Sequence, residues 1–138
     1  MRVWHKSLIP ILPKQQLIGQ WRECSLISKC IAANGTPNHI LVNKVIDYPL
    51  EHFATYCYMI AWQLGKRGYV PSTFTENSIQ EHLGVRLEPF VPEDVLFMDW
   101  HNDRYLWQCL SNLEEKYDCG GIPEDEWVTI DNYISEML

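Results

Sequence analysis

The feature that most constrains this chain is a helical spacing of apolar residues between two strong helix-boundary signals. Pro13 suits the first turn of a helix, and Asn34-Gly35 suits its end. Between them, apolar residues recur every three or four positions, at Leu17, Trp21, Cys24, Ile27 and Ile31. The pattern predicts a first helix from Pro13 to about Ala33, with one face against a core.

A second helix is predicted further along. It runs from about Pro49 to Arg67, with Asp47 as its N-terminal cap and Gly68 as its stop. The segment TPNHILVNKVI between the first two helices is predicted to be a loop, with a brief extended stretch as an alternative. Two consecutive helices joined by a loop therefore form the front half of the expected fold.

The remainder of the chain is also expected to be helical. Prolines and a glycine between 69 and 100 leave room for one or two short pieces such as ENSIQEHL. Asp99 is expected to cap a third helix through Lys116, and Pro123 to open a final acidic helix. No strand-like alternation is present, so we expect an all-α chain: a compact bundle of three to four main helices with long loops, forming a single domain over 1–138.

Length and composition limit the other classes. A chain of 138 residues with 46% hydrophobic residues can build one core. The apolar run at the start is too short and too interrupted by proline for a signal peptide or a membrane span, so we expect a cytoplasmic protein with no membrane partner. The five cysteines include no CxxC pair, and we predict no disulfide framework, no metal site and no cofactor.

Charge is distributed unevenly along the chain. Residues 1–70 hold eight basic and three acidic residues, whereas residues 71–138 hold three basic and fifteen acidic residues. The net charge is −7, which weakens long-range attraction to DNA. A basic front part can still bind a polyanion through a local face, and the acidic back part is a candidate surface for a protein partner.

An adjacent Arg22-Glu23 pair lies in the first predicted helix, within QQLIGQWREC. On a helical wheel Glu23 and Gln16 share one edge of the apolar arc, and Arg22 lies beyond them on the polar side. A carboxylate at such an edge is partly shielded from water, and Gly19 leaves a notch for a ligand or another backbone. Most pairs of this kind are merely solvated, so these facts alone leave catalysis and the ordinary surface pair both open.

The stretch MRVWHKSLIPILPKQQLIGQWREC, followed by PLEHF and KRGY, resembles the pyrimidine-dimer DNA glycosylase family. The first 24 residues are most similar to a bacterial branch of that family, and the resemblance covers about residues 1–70. It implies a glycosylase with abasic-site lyase activity that acts on damaged double-stranded DNA. It also implies that the N-terminal amine forms a Schiff base with the deoxyribose, that Glu23 assists base loss and elimination, and that Arg22 holds the DNA.

The resemblance assigns the nucleophile to the amine of Met1, which we expect to be retained because Arg2 is bulky. An α-amine has a pKa of about 7.7 to 8, against about 10.4 for lysine. At pH 7.5 about a third of α-amines are therefore neutral, compared with about a thousandth of lysines. The N-terminal amine is the readiest imine-forming group in such a chain.

Six further residues are candidate substrate contacts. They share a basic or hydrogen-bonding side chain in the front part of the chain: Arg2, Lys14, Gln15, Gln16, His39 and Lys44. Gln16 stands where the phage member of the family has a histidine, so it can hydrogen-bond but cannot exchange protons. Two other functions remain open: a non-catalytic protein-interaction module on the same scaffold, and a protein that binds a nucleotide or another small molecule. The sequence does not specify which lesion is recognised.

Overall fold

The structure, a computed structural model that describes every residue from 1 to 138, is built only from helices and loops. Five α-helices follow one another: α1 (Lys14–Asn34), α2 (Leu50–Lys66), α3 (Thr73–Leu83), α4 (Asp103–Asp118) and α5 (Glu124–Met137). Two 3₁₀ segments, Lys6–Ile11 and Asn43–Asp47, precede α1 and α2. The all-α prediction is confirmed, whereas the count of three to four main helices is wrong. The short piece expected around ENSIQEHL begins earlier, because Ser72 caps it.

Helix α1 follows its prediction closely. It starts directly after Pro13 and ends at Gly35, whose φ of 73° places it in the left-handed region that favours glycine. The Gly35 N–H donates to the Ile31 carbonyl at 2.8 Å, which satisfies one of the last carbonyls of the helix. Its buried face contains four of the five predicted apolar residues and two polar ones, Gln20 and Ser28, whereas Ile31 is partly buried against the core.

Two predicted caps are wrong. Asp47 ends a 3₁₀ segment instead of capping α2, which starts after Pro49 with no side-chain cap. Asn102, not Asp99, caps α4, because its Oδ1 accepts the Tyr105 N–H at 3.0 Å. Both errors arise because several short polar residues near a helix start are equally good caps by type. The loop between α1 and α2 contains turns and no extended stretch.

The hydrophobic core is one continuous cluster of 30 buried residues that includes members of all five helices. Helix α1 packs against α2 and α3. The residues before α1 belong to the same core, since Val3 and Leu8 are fully buried and Leu12 is almost so. Chain termini are usually loose unless something holds them. Here burial holds the N-terminal segment from its third residue onward.

Two long basic side chains help to fix this segment. The Lys6 ammonium donates to the carbonyls of Glu93 and Leu96, in the loop before α4. The Arg67 guanidinium, at the end of α2, donates to the Leu12 carbonyl at 2.7 Å and to the Pro10 carbonyl at 3.1 Å. These cations satisfy backbone carbonyls that have no partner in a helix or a sheet. They therefore anchor the first 3₁₀ segment to elements far away in the sequence.

Candidate active site

The N-terminal segment crosses α1 at Glu23. One carboxylate oxygen, Oε2, accepts the Arg2 backbone N–H at 3.1 Å, and the other, Oε1, lies 4.0 Å from the Met1 amine. The second distance is that of an ion pair and exceeds a direct hydrogen bond. The side chains of Met1 and Glu23 are 20% and 30% exposed, so the pair lies at the surface and is open to a ligand. The structure thus brings together Met1 and Glu23, two of the three predicted catalytic residues.

Gln20 fixes the path of the segment, a role that was not predicted from the sequence. Its Oε1 accepts the Trp4 N–H at 2.9 Å, and its Nε2 donates to the Arg2 carbonyl at 2.9 Å. The side chain is only 1% exposed. Gln20 lies one helical turn before Glu23, so the two side chains follow each other along one face of α1. A glutamine inside an apolar arc was the available signal, because a buried amide requires partners.

Two tyrosines from other helices complete the hold on the segment. The Tyr56 hydroxyl, on α2, donates to the Trp4 carbonyl at 2.7 Å, and the Tyr105 hydroxyl, on α4, donates to the Val3 carbonyl. Burial raises the pKa of Tyr56 and of Tyr105, so both hydroxyls keep their protons and remain donors. Three helices therefore bind the backbone of residues 2–4 through side chains.

The Arg2 side chain packs against the protein. Its guanidinium carbon lies 5.4 Å from the ring centre of Trp4 and 5.9 Å from that of Tyr105, within the range of cation–π attraction. One guanidinium nitrogen also contacts the Cys109 sulfur at 3.7 Å. Burial raises the pKa of Cys109, which favours the neutral thiol. Arg2 thus places a fixed positive charge one residue from the amine.

Arg22 is exposed on the outer side of α1. It takes part in neither of the two ion pairs of the chain, which are Met1–Glu23 and an exposed pair between Arg86 and Glu88. Its neighbour in the sequence points to the N-terminal segment, whereas Arg22 itself is available to solvent. A cation in this position can contact a phosphate beside the amine without any rearrangement of the core.

The other candidate contacts are spread out. Lys14, Gln15 and Gln16 precede Glu23 by seven to nine residues, or about 10–13 Å along a helix. The Lys14 ammonium lies 5.2 Å from the ring centre of Tyr69, and Gln16 Oε1 is buried with no hydrogen-bond partner. The structure does not bring these three residues to the amine. No atom lies within 4 Å of a Cβ built on Gly19, so no backbone occupies the predicted notch.

His39 and Lys44 belong to the loop between α1 and α2. His39 is partly buried and accepts the Leu41 N–H through Nδ1 at 3.3 Å, so its ring is engaged within the loop. Lys44 is exposed and lines a cavity whose wall includes Tyr105. Lys44 therefore borders the same cavity as Tyr105, whose hydroxyl binds the N-terminal segment.

Two stacked histidines support the N-terminal segment at residues 5 and 6. His5 and His101 stack with ring centres 5.1 Å apart, and His101 Nδ1 accepts the Lys6 N–H at 3.0 Å. Burial lowers the pKa of His101 from 6.5 to about 2, and His5 and Lys6 add smaller contributions in the same direction. His101 is therefore neutral near pH 7 and acts as an acceptor.

No group of three His, Cys, Asp or Glu side chains is arranged to hold a metal ion. None of the helices combines the length and the apolar character that crossing a bilayer requires.

The fold and the site define an all-α protein whose own N-terminal amine is held against a glutamate of its first long helix. The family model described as pyrimidine dimer DNA glycosylase matches residues 1–77, more than half of the chain. The chain belongs to this family, and the resemblance in its first 70 residues is confirmed; the bacterial branch stays a prediction. No curated protein and no solved structure matches the chain significantly.

Proposed function

We propose that this protein is a DNA repair glycosylase with abasic-site lyase activity, and that the Met1 amine is its nucleophile. The observation that carries the proposal is the 4.0 Å separation between this amine and Glu23, in a chain of the pyrimidine dimer DNA glycosylase family. An amine and a carboxylate at this distance can exchange a proton directly after a small movement or through one water molecule.

The proposed reaction begins with attack of the neutral amine on C1′ of the damaged nucleotide. A C1′–N bond to the enzyme forms as the bond from C1′ to the base breaks, and the base leaves with the bonding electrons and takes up a proton. The new positively charged nitrogen then gives up one of its two protons. Opening of the sugar ring, with a proton delivered to O4′, gives the protonated imine. Glu23 is the group nearest to the amine that can give and take these protons.

Strand cleavage follows from the imine. The positively charged C1′=N group acidifies the C2′ hydrogen, a carboxylate removes that proton, and the C3′–O bond breaks with the phosphate as leaving group. Water then hydrolyses the imine and restores the amine. Glu23, which already accepts the Arg2 N–H, is held in one orientation for these steps.

The hydrogen bonds to residues 2–4 supply the positioning. An unrestrained terminus would have to lose its conformational freedom in each encounter with DNA, whereas this one is ordered beforehand. Gln20, Tyr56 and Tyr105 are therefore positioning residues for the amine. Arg22 and Lys44 are exposed cations that we assign to phosphate contacts.

Borohydride trapping tests the proposal. Wild-type protein mixed with abasic DNA and borohydride should give a covalent adduct, because reduction makes the imine bond permanent. One extra residue before Met1 shifts the amine by about 3.5 Å and should abolish the adduct. Glu23→Gln should abolish strand cleavage, whereas Glu114→Gln, which changes an exposed glutamate of α4 in the same way, should not. Intact mass measurement should show that Met1 is retained.

DNA binding should weaken steeply with salt, because each neutralised phosphate releases condensed counterions. The proposal is overturned if wild-type protein forms no adduct, or if the extended protein forms it equally well. Steep salt dependence without an adduct would instead identify a DNA-binding module. Binding that is insensitive to salt would identify a small-molecule protein.

A further inference from the structure

The loop between α1 and α2 projects two aliphatic side chains into solvent. Ile40 is 87% exposed and Leu41 is 49% exposed, and they are neighbours in the sequence. A single exposed aliphatic residue is ordinary, but two together at the tip of a loop form a small apolar projection.

This projection rests on a well-ordered turn. The His39 carbonyl accepts the N–H groups of Val42 and Asn43 at 3.0 and 2.9 Å, and the His39 N–H donates to Asn43 Oδ1 at 2.9 Å. Val42 and Val45, which follow the tip, are fully buried and anchor it in the core. The apolar tip is therefore presented by a supported base, and its ordering is complete before any partner binds.

Positive charge lies beside the apolar tip. Both side chains of the tip border a cavity of about 240 Å³, which is also lined by Lys44 and Arg104 and by the rings of Trp100 and Tyr105. Neither Lys44 nor Arg104 forms an ion pair with a carboxylate of the protein. An apolar tip beside two unpaired cations fits a polyanion that can open to expose an apolar surface.

The cavity adjoins the amine. Tyr105 lines the cavity, and its hydroxyl donates to the Val3 carbonyl. Val3 is two residues from Met1, and two residues of backbone span at most about 7 Å. A DNA strand that lies along the cavity would therefore run close to the N-terminal segment that carries the reacting amine.

On the basis of the proposed function, we infer that Ile40 and Leu41 form a wedge that enters the DNA stack next to the damaged nucleotide, with Lys44 and Arg104 on the flanking phosphates. Stacked bases are apolar on their faces, so an opened base step buries the two side chains that water now surrounds. The wedge would stabilise the bent, unstacked DNA in which the amine reaches C1′.

The test compares wild-type protein with the double variant Ile40→Ser, Leu41→Ser. Borohydride trapping is measured on duplex and on single-stranded abasic DNA, because only the duplex has a stacked step that must open. We expect the double variant to trap duplex DNA at least about tenfold more slowly and single-stranded DNA at the wild-type rate. Val70→Ser, at a side chain that is 93% exposed in another loop, is the matched control and should leave both rates unchanged.

A fluorescence measurement reports the wedge without the chemistry. A duplex with 2-aminopurine beside a stable abasic analogue should brighten when wild-type protein unstacks that base, and the double variant should remove most of this increase. If the double variant does not fold, the single variant Ile40→Ser, at the more exposed position, replaces it in both measurements. Lys44→Ala and Arg104→Ala should each lower the slope of log affinity against log salt by about one.

The outcomes separate the two proposals. Equal trapping of duplex DNA by the double variant and by wild-type protein overturns the wedge and leaves the proposed function standing. If wild-type protein traps neither substrate, the proposed function fails, and the fluorescence result alone then decides for or against the wedge. Loss of trapping on both substrates by the double variant also overturns the wedge, because the side chains would then act elsewhere than in opening the stack.

Discussion

Replacement of Gln20 by leucine is the sharpest test of how the amine is positioned. The two side chains have similar volumes, so the core should stay filled. The change removes the acceptor of the Trp4 N–H and the donor to the Arg2 carbonyl, both at 2.9 Å. Trp4 is only 6% exposed, so its N–H would be left without a partner away from water.

The magnitude follows from these two groups. A buried donor without a partner costs about 1–3 kcal/mol, and loss of a hydrogen bond to a partly exposed carbonyl costs about 0.5–1.5 kcal/mol. The free energy of unfolding should therefore fall by about 2–4 kcal/mol. For a chain of 138 residues, 1 kcal/mol corresponds to about 3 °C in Tm, so thermal unfolding should shift downward by about 6–12 °C.

The assay combines thermal unfolding with borohydride trapping at a temperature where the variant is fully folded. We expect slower trapping as well as a lower Tm, because Arg2 and Trp4 each lose one of their hydrogen bonds and the amine is held less firmly beside Glu23. The matched control is Gln80→Leu, which removes the Oε1 of an α3 glutamine that accepts the Leu87 N–H at 2.9 Å and that forms no hydrogen bond with the N-terminal segment. This control should lower stability without slowing trapping by folded protein. A Gln20 variant that traps as fast as wild-type protein would refute the positioning role.

Two further predictions concern α4 and the residues just before it. Tyr105→Phe removes only the hydroxyl that donates to the fully buried Val3 carbonyl, so it should lower the free energy of unfolding by about 1–2 kcal/mol and slow trapping; unchanged values in both assays would contradict this. Because burial holds the pKa of His101 at about 2 instead of 6.5, the unfolded chain binds a proton below pH 6.5 that the folded chain does not. The contribution of His101 to the free energy of unfolding should be constant above that pH. It should fall as the pH is lowered, by about 2 kcal/mol at about pH 5. Urea unfolding of His101→Gln should show a shallower acid slope, and an equal slope would exclude His101 as its source.

Local patterns predicted local structure well. The boundaries of α1, its apolar stripe and the edge position of Glu23 all depend on residues within a few turns of one another, and periodicity reports these directly. The choice of cap could not be made in the same way. Asp99 and Asn102 are both good caps by type, and only the path of the preceding loop decides that Asn102 is the one used.

For Gln20, the sequence indicates that buried partners exist but does not identify them. A polar residue in an apolar arc implies buried partners. Its partners, however, are backbone groups of Arg2 and Trp4, in a segment with no periodicity that could indicate its course. The hydrogen bonds join residues 16 to 18 positions apart, and nothing in either segment alone specifies the pairing.

Long-range contacts of the back part of the chain were equally unpredictable from the sequence. Its acidic composition predicted a separate role in protein contacts. Yet Tyr105 contacts Val3 across 102 positions, and His101 contacts Lys6 across 95. The charge of a segment is set by its exposed residues, whereas its contribution to a site is made by the few that face inward. The net charge of a segment therefore does not indicate whether that segment orders the amine. A site can be assembled from a basic front part and an acidic back part of the chain.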